Sequence, residues 1–199
     1  MNADHLSDET LHMLERAEFL KLQGNYAEAI SILEQLLTED PSNVPALEEL
    51  ADNELSLDRH ARAEVAAERA IVLDQGSYMG HYIIGFLRSH ESKWDTALIE
   101  LRLANKLKPN NPEILRCLGW ALLRSGRQSD GVVTLERALN LDNDNALTLC
   151  DLGVAYLELR NLAKARLLFQ RALELDPECD RARECVRMAA QLEGHSRVV

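Results

Sequence analysis

Gly85, Gly119 and Gly153 stand 34 residues apart. The same interval separates Ala70, Ala104, Ala138 and Ala172, and again Leu73, Leu107, Leu141 and Leu175. A period of that length holds one helix–turn–helix unit, so nearly the whole chain reads as an array of such units. That decides the fold. It also weighs against catalysis, because regular arrays present long surfaces more often than reactive pockets.

The segment Asn25-Tyr26-Ala27-Glu28-Ala29-Ile30 and the following Asp40-Pro41 set the register. Five repeats follow without insertion: 10–43, 44–77, 78–111, 112–145 and 146–179. Within repeats, turns are expected at Gly24, Asp58, Ser92, Gly126 and Arg160-Asn161. Between repeats they are expected at Asp40-Pro41-Ser42-Asn43, Gln75-Gly76-Ser77, Pro109-Asn110-Asn111, Asp142 to Asn145 and Asp176-Pro177. Gly, Pro, Asn and Asp end helices and permit turns. Ala165, Leu168, Phe169, Ala172 and Leu175 follow helical spacing, not strand alternation.

Repeat position 8 holds Ala17, Ala51, Gly85, Gly119 and Gly153, and position 20 holds Ala29, Ala63, Ala97, Gly131 and Ala165. Small side chains there let the paired helices approach closely. Gly131 is the odd member, a glycine inside a helix where the other repeats carry alanine. Helix propensity costs such a glycine about 1 kcal/mol relative to Ala. On that ground alone Gly131→Ala is expected to raise the melting temperature.

Residues 180–193 read as a capping helix over the last open face, with Ala182, Cys185, Val186, Ala189 and Leu192 inward. Arg181, Arg183 and Glu184 are expected to point outward. Residues 1–9 form a tail and helix start, and 194–199 a frayed end.

The 46% apolar and 28% charged content is that of a globular protein. No apolar run approaches the roughly 18 residues of a membrane span. Met1 to Glu9 lacks the basic start and apolar stretch of a secretory signal, so a cytoplasmic location is expected. Cys117, Cys150, Cys179 and Cys185 form no C-x-x-C pair and read as small apolar residues in a reducing compartment. The net charge of −11 is uneven. Residues 1–58 carry fourteen acids against Arg16 and Lys21, while the remainder is close to neutral. Nucleic-acid binding needs a basic stripe, which is missing. The acidic first quarter instead suits a basic partner.

These residues resemble the tetratricopeptide-repeat family over positions 10–179. Repeat 5 carries the pattern most fully, in Leu152-Gly153, Tyr156, Ala165, Phe169, Ala172 and Pro177. Repeat 4 keeps Leu118-Gly119-Trp120, Ala138 and Leu141, and repeat 2 departs furthest, with Ala51 for Gly and Gln75 for Pro. The resemblance implies an all-α, right-handed superhelical solenoid. Its concave groove, lined by the first helix of each repeat, binds other proteins. It places Glu18, Glu48 and Asp52 at an acidic mouth. It lines the groove with Met79, Tyr82, Phe86, Arg116, Trp120, Cys150 and Val154, and leaves Leu123 and Leu157 to the seams. Such a groove suits a peptide or amphipathic helix with basic flanks.

One subclass of the family grips chaperone C-termini with Lys, Asn and Arg. The first three repeats offer Leu14, Glu18, Glu49, Met79 and Ile83 instead. No window of three repeats supplies the cations that a carboxylate needs.

The sequence contains no G-x-x-x-x-G-K-[ST], H-E-x-x-H or G-x-S-x-G motif, and its histidines are scattered. His60 and His90 read as solvated and His81 as packed. No metal site, cofactor, nucleic-acid or membrane contact is expected. The reading is a non-enzymatic interaction module (an adaptor, scaffold or specialised chaperone), with self-assembly through the groove or end faces as the alternative.

Overall fold

The computed structural model describes the backbone of residues 7–196 and the side chains through residue 188. Among these residues there are eleven α-helices and no strand. They are α1 (Asp8–Leu22), α2 (Tyr26–Glu39), α3 (Val44–Ser56), α4 (His60–Leu73), α5 (Tyr78–His90) and α6 (Trp94–Leu107). They continue with α7 (Pro112–Arg124), α8 (Gln128–Leu141), α9 (Ala146–Glu158), α10 (Leu162–Leu175) and α11 (Asp180–Ser196). The chain divides into a first unit, Met1–Ser92, holding α1 to α5, and a second, Lys93–Val199, holding α6 to α11.

Two backbone devices produce the period. Gly24, Asp58, Ser92, Gly126 and Arg160, spaced by 34 residues, all take left-handed φ values between 58° and 84°. That conformation reverses the chain after each first helix. It is free for glycine and costs other residues about 1–2 kcal/mol. The second device is the side-chain cap. Asn43, Ser77 and Asn145 each accept from the amide three residues on, and Asn111 accepts from the Glu113 and Ile114 amides. These residues therefore do more than permit turns, since they satisfy the open N–H groups that start each first helix.

In the first unit, Ala17, Leu20, Ala29, Leu33 and Leu36 bury one core. Ala51, Ala63, Ala67, Ile83 and Leu87 bury the next. In the second unit, Leu123, Leu135, Leu152, Tyr156 and Phe169 pack together, and Cys185 of α11 joins them. The small residues at positions 8 and 20 are buried throughout. A Cβ on Gly153 would lie 2.3 Å from the Phe169 ring, so only glycine leaves room for that ring.

Gly131 overturns the propensity argument. A Cβ there would lie 2.9 Å from the Gly119 carbonyl oxygen and 2.9 Å from the Leu123 nitrogen. Both are backbone atoms of α7, which cannot swing aside as a side chain can. The glycine is the condition for the close approach of α7 and α8.

The capping helix extends to Ser196, beyond the expected residue 193. Ala182 and Cys185 are buried and Val186 half-buried, while the side chains of Ala189 and Leu192 lie outside the described residues. Residues 1–6 and 197–199, expected to be frayed, also lie outside them. Arg181 departs from expectation by turning inward, for a reason given below.

Candidate functional site

The first helices of the first unit are α1, α3 and α5. On α5, Tyr82, Phe86 and His90 recur every fourth residue and so share one face. Their rings form a continuous file, with centroids 6.4 Å apart for Tyr82–Phe86 and 4.6 Å for Phe86–His90. His60 of α4 meets His90 edge-on at 5.3 Å, and its Nε2 lies 3.1 Å from Asp58 Oδ1. Met79, Tyr82 and Phe86 are half-buried. One side of each rests on the Ala51, Ala63 and Ile83 core, so the core fixes the orientation of the rings. His60 and His90, read from the sequence as solvated, extend this file. The spacing from Tyr82 through Phe86 to His90 was the signal for the second of them.

Carboxylates lie in the same unit. Glu18 on α1 is exposed. Asp52 on α3 is tied down, because Lys21 Nζ donates to Asp52 Oδ2 at 3.0 Å and to Glu49 Oε2 at 2.7 Å. Burial opposes the lysine's charge, but the two carboxylates outweigh it and hold its pKa above the ordinary value. The Ser77 hydroxyl donates to Glu48 Oε1 at 2.6 Å while accepting from the Gly80 amide, which couples that carboxylate to the cap of α5. Burial pushes the Glu48 carboxyl up, Ser77 pulls it back in part, and Asp74 and Glu49 add to the rise. The Lys21 ammonium offsets part of the negative charge of Glu49 and Asp52 beside it.

In the second unit the corresponding face, on α7, α9 and α11, is largely occupied by its own side chains. Asp151 is fully buried. Arg116 Nη1 donates to its Oδ2 at 2.9 Å, and Arg181 Nη2 of α11 pairs with its Oδ1. Arg116 also pairs with Glu113 one turn earlier. Burial opposes the Arg116 charge, yet its negative neighbours hold the group firmly protonated. Burial pushes the Asp151 carboxyl up, and Arg181 and Arg116 pull it part of the way back. The Arg181 guanidinium also lies 4.9 Å from the Trp120 ring centroid, and Arg124 lies 5.7 Å from it. This is why Arg181 faces inward: it is the pin that holds the capping helix.

Two expected groove residues have no surface to offer. Cys150 is fully buried among Leu149, Ala172, Cys179 and Ala182. Burial, reinforced by the thiols of Cys179 and Cys185, pushes its thiol up to about 12. Arg116 is 8% exposed with its guanidinium committed to carboxylates. Trp120 and Val154 remain half-buried, packed on the core. None of the four cysteines forms a disulfide, and all four are buried. Among the described residues no cluster of three or more His, Cys, Asp or Glu could hold a metal, and no helix is long and apolar enough to cross a membrane.

Helices paired at a fixed 34-residue interval, each pair turned by a left-handed residue, define an all-α tandem-repeat solenoid. Tetratricopeptide-repeat profiles match residues 20–79 and 146–179. The mouse tetratricopeptide repeat protein 21B is 24% identical over 183 residues, which cover 92% of this chain. The chain spans 13% of that relative's length. Among solved structures, a chain of the APC/C hetero-tetramer Cut9–Hcn1 superposes with a TM-score of 0.82 at 19% identity, over 92% of this chain and 36% of that one. YrrB, described as a TPR protein with an unusual peptide-binding site, gives 0.62 at 19% identity over 88% and 90% of the two chains. This chain belongs to the tetratricopeptide-repeat family. Its fold is that of a protein–protein interaction module.

Proposed function

We propose that the chain is a non-enzymatic adaptor or scaffold that grips a helix or extended segment of a partner on the first-helix face of its first unit. The observation that carries this reading is the ring file Tyr82–Phe86–His90, half-buried at Tyr82 and Phe86 and exposed at His90, within a unit that also bears Glu18, Glu48 and Asp52. Rings already anchored on a core give contact area at little entropic cost, and aromatic residues dominate recognition surfaces. The carboxylates favour an amphipathic segment with basic flanks. The peptide-binding site of YrrB supports the same use of the fold. Met79 belongs to this surface. Trp120 and Val154 are half-buried residues of the second unit and lie outside this proposal, and Arg116 and Cys150 are left out for want of exposure. Four buried cysteines outside any disulfide support a reducing, cytoplasmic setting. Phe86→Ala tests the proposal. Loss of partner capture with an unchanged helical circular-dichroism spectrum is the expected result, and capture at wild-type strength would overturn it.

A second reading, self-association, is favoured by Leu11, Phe19 and Leu22 of α1, which are 48%, 59% and 79% exposed. An apolar end face of this kind can stack on another copy. Light scattering across a concentration series separates the readings, since a monomer at high concentration removes the second.

A further inference from the structure

The first unit has an opening away from its ring file. A cavity of about 430 Å³ lies among α2, α3 and α4. Leu37, Leu47 and Leu50 are among its apolar lining residues, as are Ala61, Val65 and Ala66 of α4. The opening has a cause in the sequence. At the repeat position of Ala66, the other repeats carry Ile32, Glu100, Thr134 and Leu168. Alanine is the smallest of the five side chains at this position, and Ala66 lines the opening together with Leu37 and Leu47. Val65 is 67% exposed at the same place.

Two arginines also line the cavity, and they differ in what they have left to bind. Arg62 is matched, pairing with Glu34 and, at 2.9 Å, with the buried Glu54. Arg69 is exposed and has no ion pair or hydrogen bond among the described residues. The site therefore joins an apolar cleft, roomy enough for a large side chain, to one uncommitted guanidinium.

We propose that this cleft docks an acidic, aromatic-anchored segment of a partner protein: one large apolar side chain enters between α2 and α4, and a neighbouring Asp or Glu pairs with Arg69. A carboxylate is the matching group for a free guanidinium, whose planar fork holds it by two parallel hydrogen bonds. An aromatic side chain fills an apolar cleft with few rotamers to freeze. The charge preference is opposite to that of the ring file, so the two surfaces select different partners and one can fail without the other.

The test titrates the full chain with three probes and follows the methyl resonances of Ala61, Val65 and Ala66. The probes are acetyl-Leu-Trp-Asp-Glu-amide, its neutral counterpart acetyl-Leu-Trp-Asn-Gln-amide, and indole-3-propionate as a free organic carboxylate. The acidic peptide is expected to shift those methyls saturably and to bind about fivefold tighter than the neutral one. Arg69→Glu should erase that difference. Ala66→Leu, which copies repeat 5, should abolish binding. Ala61→Leu fills the same cleft from an exposed position should the buried substitution unfold the helix. Equal binding of the two peptides, retained binding in a filled variant that keeps its melting temperature, or shifts confined to other residues would each overturn the proposal. So would indole-3-propionate binding as tightly as the acidic peptide, since that would make the cleft a small-molecule site.

Discussion

Adding one methyl group at position 131 sets helix propensity against packing. In an unpacked helix, Gly→Ala stabilises by about 1 kcal/mol. Here the new carbon would sit 2.9 Å from the Gly119 carbonyl oxygen, 2.9 Å from the Leu123 nitrogen and 3.2 Å from the Leu123 Cα. All three atoms belong to the backbone of α7. Relief requires α7 and α8 to part by several tenths of an ångström, which loosens the Leu123, Val132 and Leu135 contacts between them. Overpacking of this kind costs about 1–3 kcal/mol. The net expectation is a loss of about 1 kcal/mol, or a melting temperature lower by roughly 2–4 °C for a chain of this size. Thermal and urea unfolding, followed by circular dichroism, measure it. Asn140→Ala at an exposed site of the same helix serves as the control and should be neutral or slightly stabilising. A Gly131→Ala variant that melts higher than the parent would show that propensity governs this seam, and the close-approach argument would fail.

Three further outcomes follow from the same structure. Asp151→Ala leaves the buried Arg116 without its deeper partner and should cost about 3–5 kcal/mol in urea unfolding, as broken buried pairs do, while Arg181→Ala should speed amide exchange mainly in α11. The Glu48 pKa is raised on folding, so its ionisation opposes the folded state. That penalty is absent below the ordinary value of 4.5 and grows as the pH rises through the folded value, so the stability of Glu48→Gln relative to the parent should increase from acidic to neutral pH. Finally, a thiol reagent at pH about 8 should modify Cys150 only after unfolding, because burial keeps it protonated; rapid labelling of the native chain would contradict the burial.

The array was legible because its signals are local and repeated. A left-handed residue at each internal turn and an Asn or Ser before each of α3, α5, α7 and α9 act within a few residues of backbone, and a period exposes them. The ring file was partly legible for the same reason, since Tyr82 and Phe86 share a helix face. What escaped depends on distance. Whether Cys150 faces a groove or a core is decided by Ala172, Cys179 and Ala182 on later elements. Arg116 reads as a free cation until Asp151, 35 residues on, is brought against it. Gly131 shows the sharpest limit: the repeat pattern correctly demanded a small residue there, yet the reason for glycine over alanine lies in two backbone atoms of another helix.

Asp151 also governs how the array can be lengthened. It answers to Arg116 behind it and to Arg181 ahead of it, so it checks the identity of whatever segment comes next. A graft that replaces α11 with a further repeat must bring its own cation to that spot. Without one, the junction would strand half a carboxylate in the dry interior, and the added repeat would dock poorly however well its apolar face fitted.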